Sequence, residues 1–253
     1  MKKPTKILLQ LALYGIAIYA IIAYSAVRYP LEPALEATPL YERNYVAIGG
    51  WPFVTSYLLY KPVDYDPTRK YPLVLSLHGA SKRSYEAFYL AQDAIQQKRD
   101  CFVLVPMAPP YRPWASTDGR IAALTDAMDM LGRVLDTYTI DQSRIYVTGH
   151  SMGAVGTFAA MAHYAHIFAA GVAVNGYWTV DDAEKLAGTK LWVFHGEDDK
   201  VFPLERTQDL FAAIKATGGS PRFTLMKGIG HRSQPAYDDP AVWDWLFGQR
   251  LGG

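Results

Sequence analysis

From Tyr45 onward, short apolar runs rich in Val, Ile, Leu, Phe and Tyr recur along the chain, most of them separated by stretches with helical spacing. Eight strands are predicted, centred on Tyr45 to Ile48, Phe53 to Tyr60, Leu73 to His78, Phe102 to Pro106, Arg144 to Thr148, Ala170 to Val174, Leu191 to His195 and Phe223 to Lys227. Strands alternating with helices argue for a mostly parallel sheet wrapped by helices. The first two runs are joined only by Gly49-Gly50-Trp51-Pro52, too short for a crossover helix, so they should pair as an antiparallel hairpin at one edge. The clearest helix is predicted from about Asp118 to Tyr138, where Ile121, Leu124, Met128, Leu131, Leu135 and Tyr138 form an apolar stripe facing the core. Val242, Trp243, Trp245, Leu246 and Phe247 mark a final helix packed on the sheet.

The N-terminus follows a different pattern. Ile7 to Val27 contains no charged residue, with Lys2, Lys3 and Lys6 before it and Arg28 after it. As a helix that stretch spans about 30 Å, the thickness of a bilayer's hydrocarbon core. It reads as one transmembrane helix, an uncleaved anchor; the alternative is a cleaved signal with small residues at Ala23 and Ser25. The lysines before the segment predict a cytoplasmic N-terminus and a catalytic domain outside the cytoplasm, periplasmic or at the cell surface; cleavage would give a secreted form instead. The organisation expected is tail and anchor over residues 1–29, a proline-containing linker over 30–44, and one folded domain over 45–253.

Composition narrows the function. The chain has 253 residues, 50% hydrophobic and 19% charged, with a net charge of +1, which suits one ordered domain rather than a disordered chain. The first 30 residues hold four of the 25 basic side chains and none of the 24 acidic ones, so the remainder carries about −3. That balance argues against nucleic acid as a partner. The single Cys101 excludes an intramolecular disulfide and a multi-cysteine metal site, and its apolar neighbours Phe102 to Val105 predict a buried structural thiol. His163 and His166 lack an accompanying metal-binding pattern, and no phosphate loop or dinucleotide fingerprint is present. Neither a metal nor a cofactor is implied.

The strongest chemical signal is Gly149-His150-Ser151-Met152-Gly153, set between a predicted strand and the small-residue run Ala154 to Ala162. Gly-x-Ser-x-Gly in a strand-turn-helix setting presents a nucleophilic serine on a strained turn. A serine needs a base, and the base needs an acid to hold its tautomer. His231 follows the eighth strand within Gly228-Ile229-Gly230-His231, and Glu197, Asp198 and Asp199 follow the seventh. The order Ser, Asp, His is that of the α/β-hydrolases, although three adjacent carboxylates leave the acid open. The amide of Met152, next after the nucleophile, is one predicted oxyanion donor. His78 and His195, each before a glycine at a strand end, read as structural.

Tyr45 to Leu251 resembles α/β-hydrolases of the dienelactone-hydrolase and feruloyl-esterase-like group, near the prolyl-oligopeptidase-like predicted peptidases. The resemblance rests on PLVLSLHG, DQSRIYVTGHSMG, LWVFHGEDDKVFP, and GIGH followed by a tryptophan-rich helix. It implies an α/β-hydrolase fold with an eight-stranded sheet. It also implies Asp199 as the acid, with Asp198 the second choice, and the backbone of Ala80 as the second oxyanion donor. Ser81 and Ala154 stand where relatives often carry glycine. Tyr111, Trp114, Tyr177 and Trp178 follow predicted strands and are candidate walls of a substrate pocket, with plain core the competing reading.

The expected activity is that of a serine carboxylesterase on a small-molecule ester, through an acyl-enzyme on Ser151. A prolyl-oligopeptidase-type peptidase and a catalytically silent tethered binding protein are the rivals.

Overall fold

The computed structural model describes residues 41–47, 54–109 and 112–252; of 45–47 and 54–55 only the backbone is described. The anchor segment Ile7 to Val27, the linker as far as Leu40 and the hairpin turn at Gly49 to Pro52 lie outside the described residues, as does Tyr111. Among the described residues no helix is long and apolar enough to cross a membrane.

Eight strands form one sheet in the order β1-β2-β4-β3-β5-β6-β7-β8. They are β1 (Glu42–Ala47), β2 (Val54–Tyr60), β3 (Tyr71–Leu77), β4 (Phe102–Pro106), β5 (Ile140–His150), β6 (Ala170–Val174), β7 (Leu191–Gly196) and β8 (Arg222–Met226). β1 pairs antiparallel with β2 and β2 antiparallel with β4, and every later pairing is parallel. Alternation along the strands sorts their apolar side chains into two layers. Leu73, Leu75, Leu77, Phe102 and Leu104 enter one cluster, Val74, Val103 and Val105 the other. Both faces are covered, so these runs are apolar throughout rather than every second residue.

Helices α3 (Ala123–Thr137), α4 (Met152–His163), α5 (Ala183–Ala187) and α6 (Leu204–Ala216) supply the first cluster. Helices α1 (Tyr85–Leu90), α2 (Asp93–Gln96), α7 (Gln234–Tyr237) and α8 (Pro240–Phe247) cover the other face. Trp243 of α8 is fully buried, its ring stacked between Tyr89 and Tyr237 at 5.5 and 5.6 Å. Truncating such a side chain costs about 3–5 kcal/mol. Cys101 is fully buried, its amide donating to Gln96 Oε1 (3.1 Å), and burial pushes its thiol up to about 12, which makes it inert as a nucleophile.

The helix expected over Asp118 to Tyr138 is shorter and turned about its axis. Asp118 to Ala122 belong to a loop closed by an Ala115–Ile121 bridge, and the helix starts at Ala123. Its buried face is Ala123, Leu124, Ala127, Met130, Leu131 and Val134, while Met128 and Leu135 are only partly buried on its shoulder. Small alanines let the helix axis approach the sheet, so the face that packs is centred on Ala127 rather than on the largest apolar side chains.

Candidate active site

β4 lies on one side of β3 and β5 on the other, so the chain reverses its direction of winding between β3 and β5. In such sheets the crevice beyond the strand ends at that point is the natural ligand position. β5 passes into α4 at Ser151, which has φ 60° and ψ −120°. A non-glycine residue held there stores about 1–3 kcal/mol of strain, and the Ser151 amide, donating to the Val174 carbonyl at 3.0 Å, helps hold it. The turn is possible because Gly153 has no side chain: a Cβ there would lie 1.7 Å from the Leu77 carbonyl oxygen. The end of β3 therefore abuts the first turn of α4. A Cβ on Gly79, two residues beyond β3, would lie 3.8 Å from Ser151 Cβ, which puts this loop beside the serine.

The acid and base loops are drawn together by another close approach. A Cβ on Gly196, at the end of β7, would come within 2.4 Å of the Ile229 and Gly230 carbonyl oxygens. Fully buried Asn175 ties the same region: its Oδ1 accepts from the Gly196 amide (2.7 Å) and its Nδ2 donates to the Arg232 carbonyl (2.9 Å). One amide side chain thus connects the ends of β6 and β7 to the loop carrying His231.

The result is a continuous polar chain. His231 Nε2 lies 2.8 Å from Ser151 Oγ, and His231 Nδ1 lies 2.8 Å from Asp199 Oδ2. The other carboxylate oxygen, Asp199 Oδ1, accepts from the amides of Val201 (2.8 Å) and Phe202 (3.0 Å). Burial opposes ionisation of Asp199, but the hydrogen bond and charge of His231 and these two amides outweigh it and hold the carboxyl below its ordinary value. An ionised carboxylate only accepts, so His231 Nδ1 carries the proton and its Nε2 lone pair accepts from the Ser151 hydroxyl. Asp198 points elsewhere: it is exposed, and its amide donates to the Ile229 carbonyl at 2.9 Å.

The two amides expected as oxyanion donors, Met152 and Ala80, lie on the segments that flank Ser151. Met152 opens α4, where the first amides have no partner within the helix. Ala80 is the second residue of a turn closed by Lys82 N–H donating to the Gly79 carbonyl (2.9 Å), which leaves the Ala80 amide outside the turn's own hydrogen bond. His78 fastens this loop from beneath. Its Nδ1 donates to the Gly79 carbonyl (2.7 Å) and its Nε2 accepts from the Ala108 amide (3.1 Å), which settles its neutral tautomer. Burial depresses its pKa to about 4, in agreement with that tautomer. His195 is also buried, between the Phe202 carbonyl (3.0 Å) and Thr207 Oγ1 (2.9 Å), and burial lowers its pKa.

Of the four aromatic residues expected at the pocket, Tyr111 lies outside the described residues, and of the other three the structure brings Tyr177 to the surroundings of His231. Phe202 stacks on His231 (5.8 Å, 29°), and Tyr177 meets Phe202 edge-on (5.6 Å, 76°) with the Arg206 guanidinium above it at 5.9 Å. Trp114 is instead core, 1% exposed, with its indole N–H donated to the His78 carbonyl (2.9 Å). Trp178 is core as well, 2% exposed and donating to Asp182 Oδ2 (2.8 Å). Both rings lie on the helix side of the sheet, where their large apolar area is worth more buried than lining a crevice. His163 faces Asp182 (3.3 Å), whereas His166 is exposed.

Three neighbours of the site escaped the sequence reading. They are Asn175, Phe202 and His150. His150 lies 4.6 Å from His231 ring to ring; burial, then the charge of His231, hold its pKa well below the ordinary value, with Asp199 opposing. Asn175 carried a signal, a polar residue directly after an apolar strand, because a buried amide requires partners.

The prolyl oligopeptidase family profile matches residues 114–186, which include the serine turn. Feruloyl esterase C of Emericella nidulans is 27% identical over 234 residues, covering 79% of this chain and 84% of that protein. A thermostable esterase of known structure is 32% identical with a TM-score of 0.78, covering 83% of this chain. The chain has the α/β-hydrolase fold that these esterases share. An acylaminoacyl peptidase of Pyrococcus horikoshii, 14% identical with a TM-score of 0.66 over 86% of this α/β-hydrolase, shares the fold. The chain spans 63% of the thermostable esterase's length and 43% of the peptidase's.

Proposed function

We propose that this α/β-hydrolase is a serine carboxylesterase acting through an acyl-enzyme on Ser151. The observation carrying the reading is the pair of 2.8 Å hydrogen bonds joining Ser151 Oγ to His231 and His231 to Asp199, on a serine held at positive φ. As the Ser151 oxygen attacks the ester carbonyl, His231 Nε2 takes its proton and Asp199 stabilises the imidazolium. The tetrahedral oxyanion forms between the Met152 and Ala80 amides, and His231 returns the proton to the departing alcohol. Water then repeats the cycle on the acyl-enzyme. The half-exposed wall of Tyr177 and Phe202 offers the acyl or alcohol part an apolar surface beside the base. Supporting relatives are the feruloyl esterase and the thermostable esterase.

The test is hydrolysis of a p-nitrophenyl ester series, with fluorophosphonate labelling, by the native protein and Ser151→Ala. Loss of both in a variant with an unchanged melt is expected, since one exposed oxygen is removed and no packing. A variant keeping a tenth of native turnover would overturn the assignment. A second reading, cleavage of short peptides, is favoured by the prolyl oligopeptidase match, and turnover of proline-containing peptide amides above that of the esters would establish it. The same proposal places the domain outside the cytoplasm on an anchor at residues 7–27, resting on that segment's uncharged length and preceding lysines. Alkaline phosphatase fused after Gly253 should be active and membrane-bound; a soluble product beginning near Ala26 would mean a cleaved signal.

A further inference from the structure

Glu86 is a carboxylate at the second position of α1, only 1% exposed, on the opposite side of the sheet from the cluster that packs under α4. Its Oε1 accepts from Ser76 Oγ (2.8 Å) and from Ser84 Oγ (2.6 Å), and the two serine oxygens are themselves in contact. An ionised carboxylate is costly to bury before its hydrogen bonds are counted, and an apolar residue of like volume is often no less stable. The placement of its partners suggests what it does. Ser76 is the penultimate residue of β3 and Ser84 precedes α1, so they stand at the two ends of the loop Leu77 to Arg83. Ser84 is the N-cap residue of α1, yet its side chain makes no cap hydrogen bond to that helix. Capping is the ordinary role of a serine in that place, and here the hydroxyl is turned to Glu86 instead.

We propose that Glu86 is a positioning residue that clasps both ends of the Leu77 to Arg83 loop and so aims the Ala80 amide at the oxyanion; the inference rests on the esterase reading above. The loop's internal bonds hold its shape: Gly79 N–H donates to the Arg83 carbonyl (3.2 Å), and Lys82 sits at φ 59°. Those bonds do not fix where the loop stands relative to Ser151. His78 anchors the first part of the loop to Ala108 and Trp114, while beyond it the position depends on β3 at one end and α1 at the other, and Glu86 joins those two through a single oxygen atom. An oxyanion donor acts on charge present only in the transition state, so displacing it lowers kcat and leaves ground-state binding nearly unchanged.

The experiment compares native protein, Glu86→Ala, Glu86→Gln and Ser84→Ala in the full chain, with p-nitrophenyl ester as substrate and active sites counted by fluorophosphonate. Glu86→Ala should lose about 10- to 100-fold in kcat per active site, with KM changed by less than about threefold, the range of a displaced rather than deleted donor. Ser84→Ala, with one arm removed, should fall between. Glu86→Gln should recover most of the loss, because its amide oxygen still accepts from both hydroxyls. Unchanged kcat per site in Glu86→Ala with a lowered melting temperature would overturn the clasp and leave a structural group, and so would Glu86→Gln as impaired as Glu86→Ala. Should Glu86→Ala fail to fold, native kcat in Ser84→Ala overturns it. Native protein that neither hydrolyses ester nor takes the label refutes the esterase reading itself, and the clasp with it; active native protein with insensitive variants refutes the clasp alone.

Discussion

Gly153→Ala adds one methyl group to the first turn of α4 and should disable the site as well as loosen the fold. The added Cβ would stand 1.7 Å from the Leu77 carbonyl oxygen and 2.7 Å from its carbonyl carbon, both backbone atoms that cannot rotate away. Restoring van der Waals contact requires the end of β3 and the start of α4 to move apart. Overpacking of a well-packed interior costs about 1–3 kcal/mol, and a collision with backbone belongs at the upper end. For a domain of this size that lowers the melting temperature by roughly 6–12 °C. The functional loss should be larger in proportion, because Leu77 leads into the Ala80 loop and Gly153 follows Met152, so both oxyanion donors move relative to Ser151. A misplacement of about 1 Å costs on the order of a hundredfold in rate. The assay is a thermal melt together with kcat on p-nitrophenyl acetate per folded molecule. Gly132→Ala in the middle of α3 is the control: a Cβ there meets nothing within 4 Å. That variant should gain up to about 1 kcal/mol of stability with native activity. A Gly153→Ala protein with native kcat and melting temperature would refute the claim that this contact sets the turn.

The remaining predictions concern the acid, the buried histidines and the core. Asp199→Asn should cut kcat by up to about four orders of magnitude, since the amide cannot hold the imidazolium, while exposed Asp198→Asn should stay near native; the reverse pattern would move the acid to Asp198. His78 is neutral when folded with a pKa of about 4 against an ordinary 6.5, so the unfolded chain binds more protons between those values and stability falls as pH drops through that window. His78 alone contributes a loss of about 2 kcal/mol between roughly pH 7 and 5, and His150 and His195, depressed in the same direction, add to it. Urea unfolding at the two pH values measures this, and equal stabilities would contradict the buried neutral tautomer. Trp243→Ala should destabilise by about 3–5 kcal/mol, read by the same urea titration, and a near-native midpoint would mean that α8 is not essential to the second core layer.

Much of the architecture is local in origin and therefore legible in the chain. A strand covered on both faces must be apolar along its length, and a helix between two such strands must show a stripe, so eight strands and their mostly parallel order follow from composition at each position. The serine turn is legible for the same reason, because a strained strand-to-helix corner demands glycine on either side of Ser151. What the chain alone did not determine depends on which atoms meet across the sheet. Glu197, Asp198 and Asp199 are chemically alike, and only the turn after β7, held by the Val201 and Phe202 amides, directs one of them at His231. Trp114 and Trp178 read equally as pocket or core until packing puts both rings beneath the site. The α3 stripe is rotated because the sheet selects the face that lets the helix come closest, which periodicity cannot rank. The partners of Asn175, and Ser76 beside Glu86, lie on segments brought together only when the chain folds: a buried polar side chain announces in the sequence that it needs partners, and the tertiary structure decides which distant ones it finds.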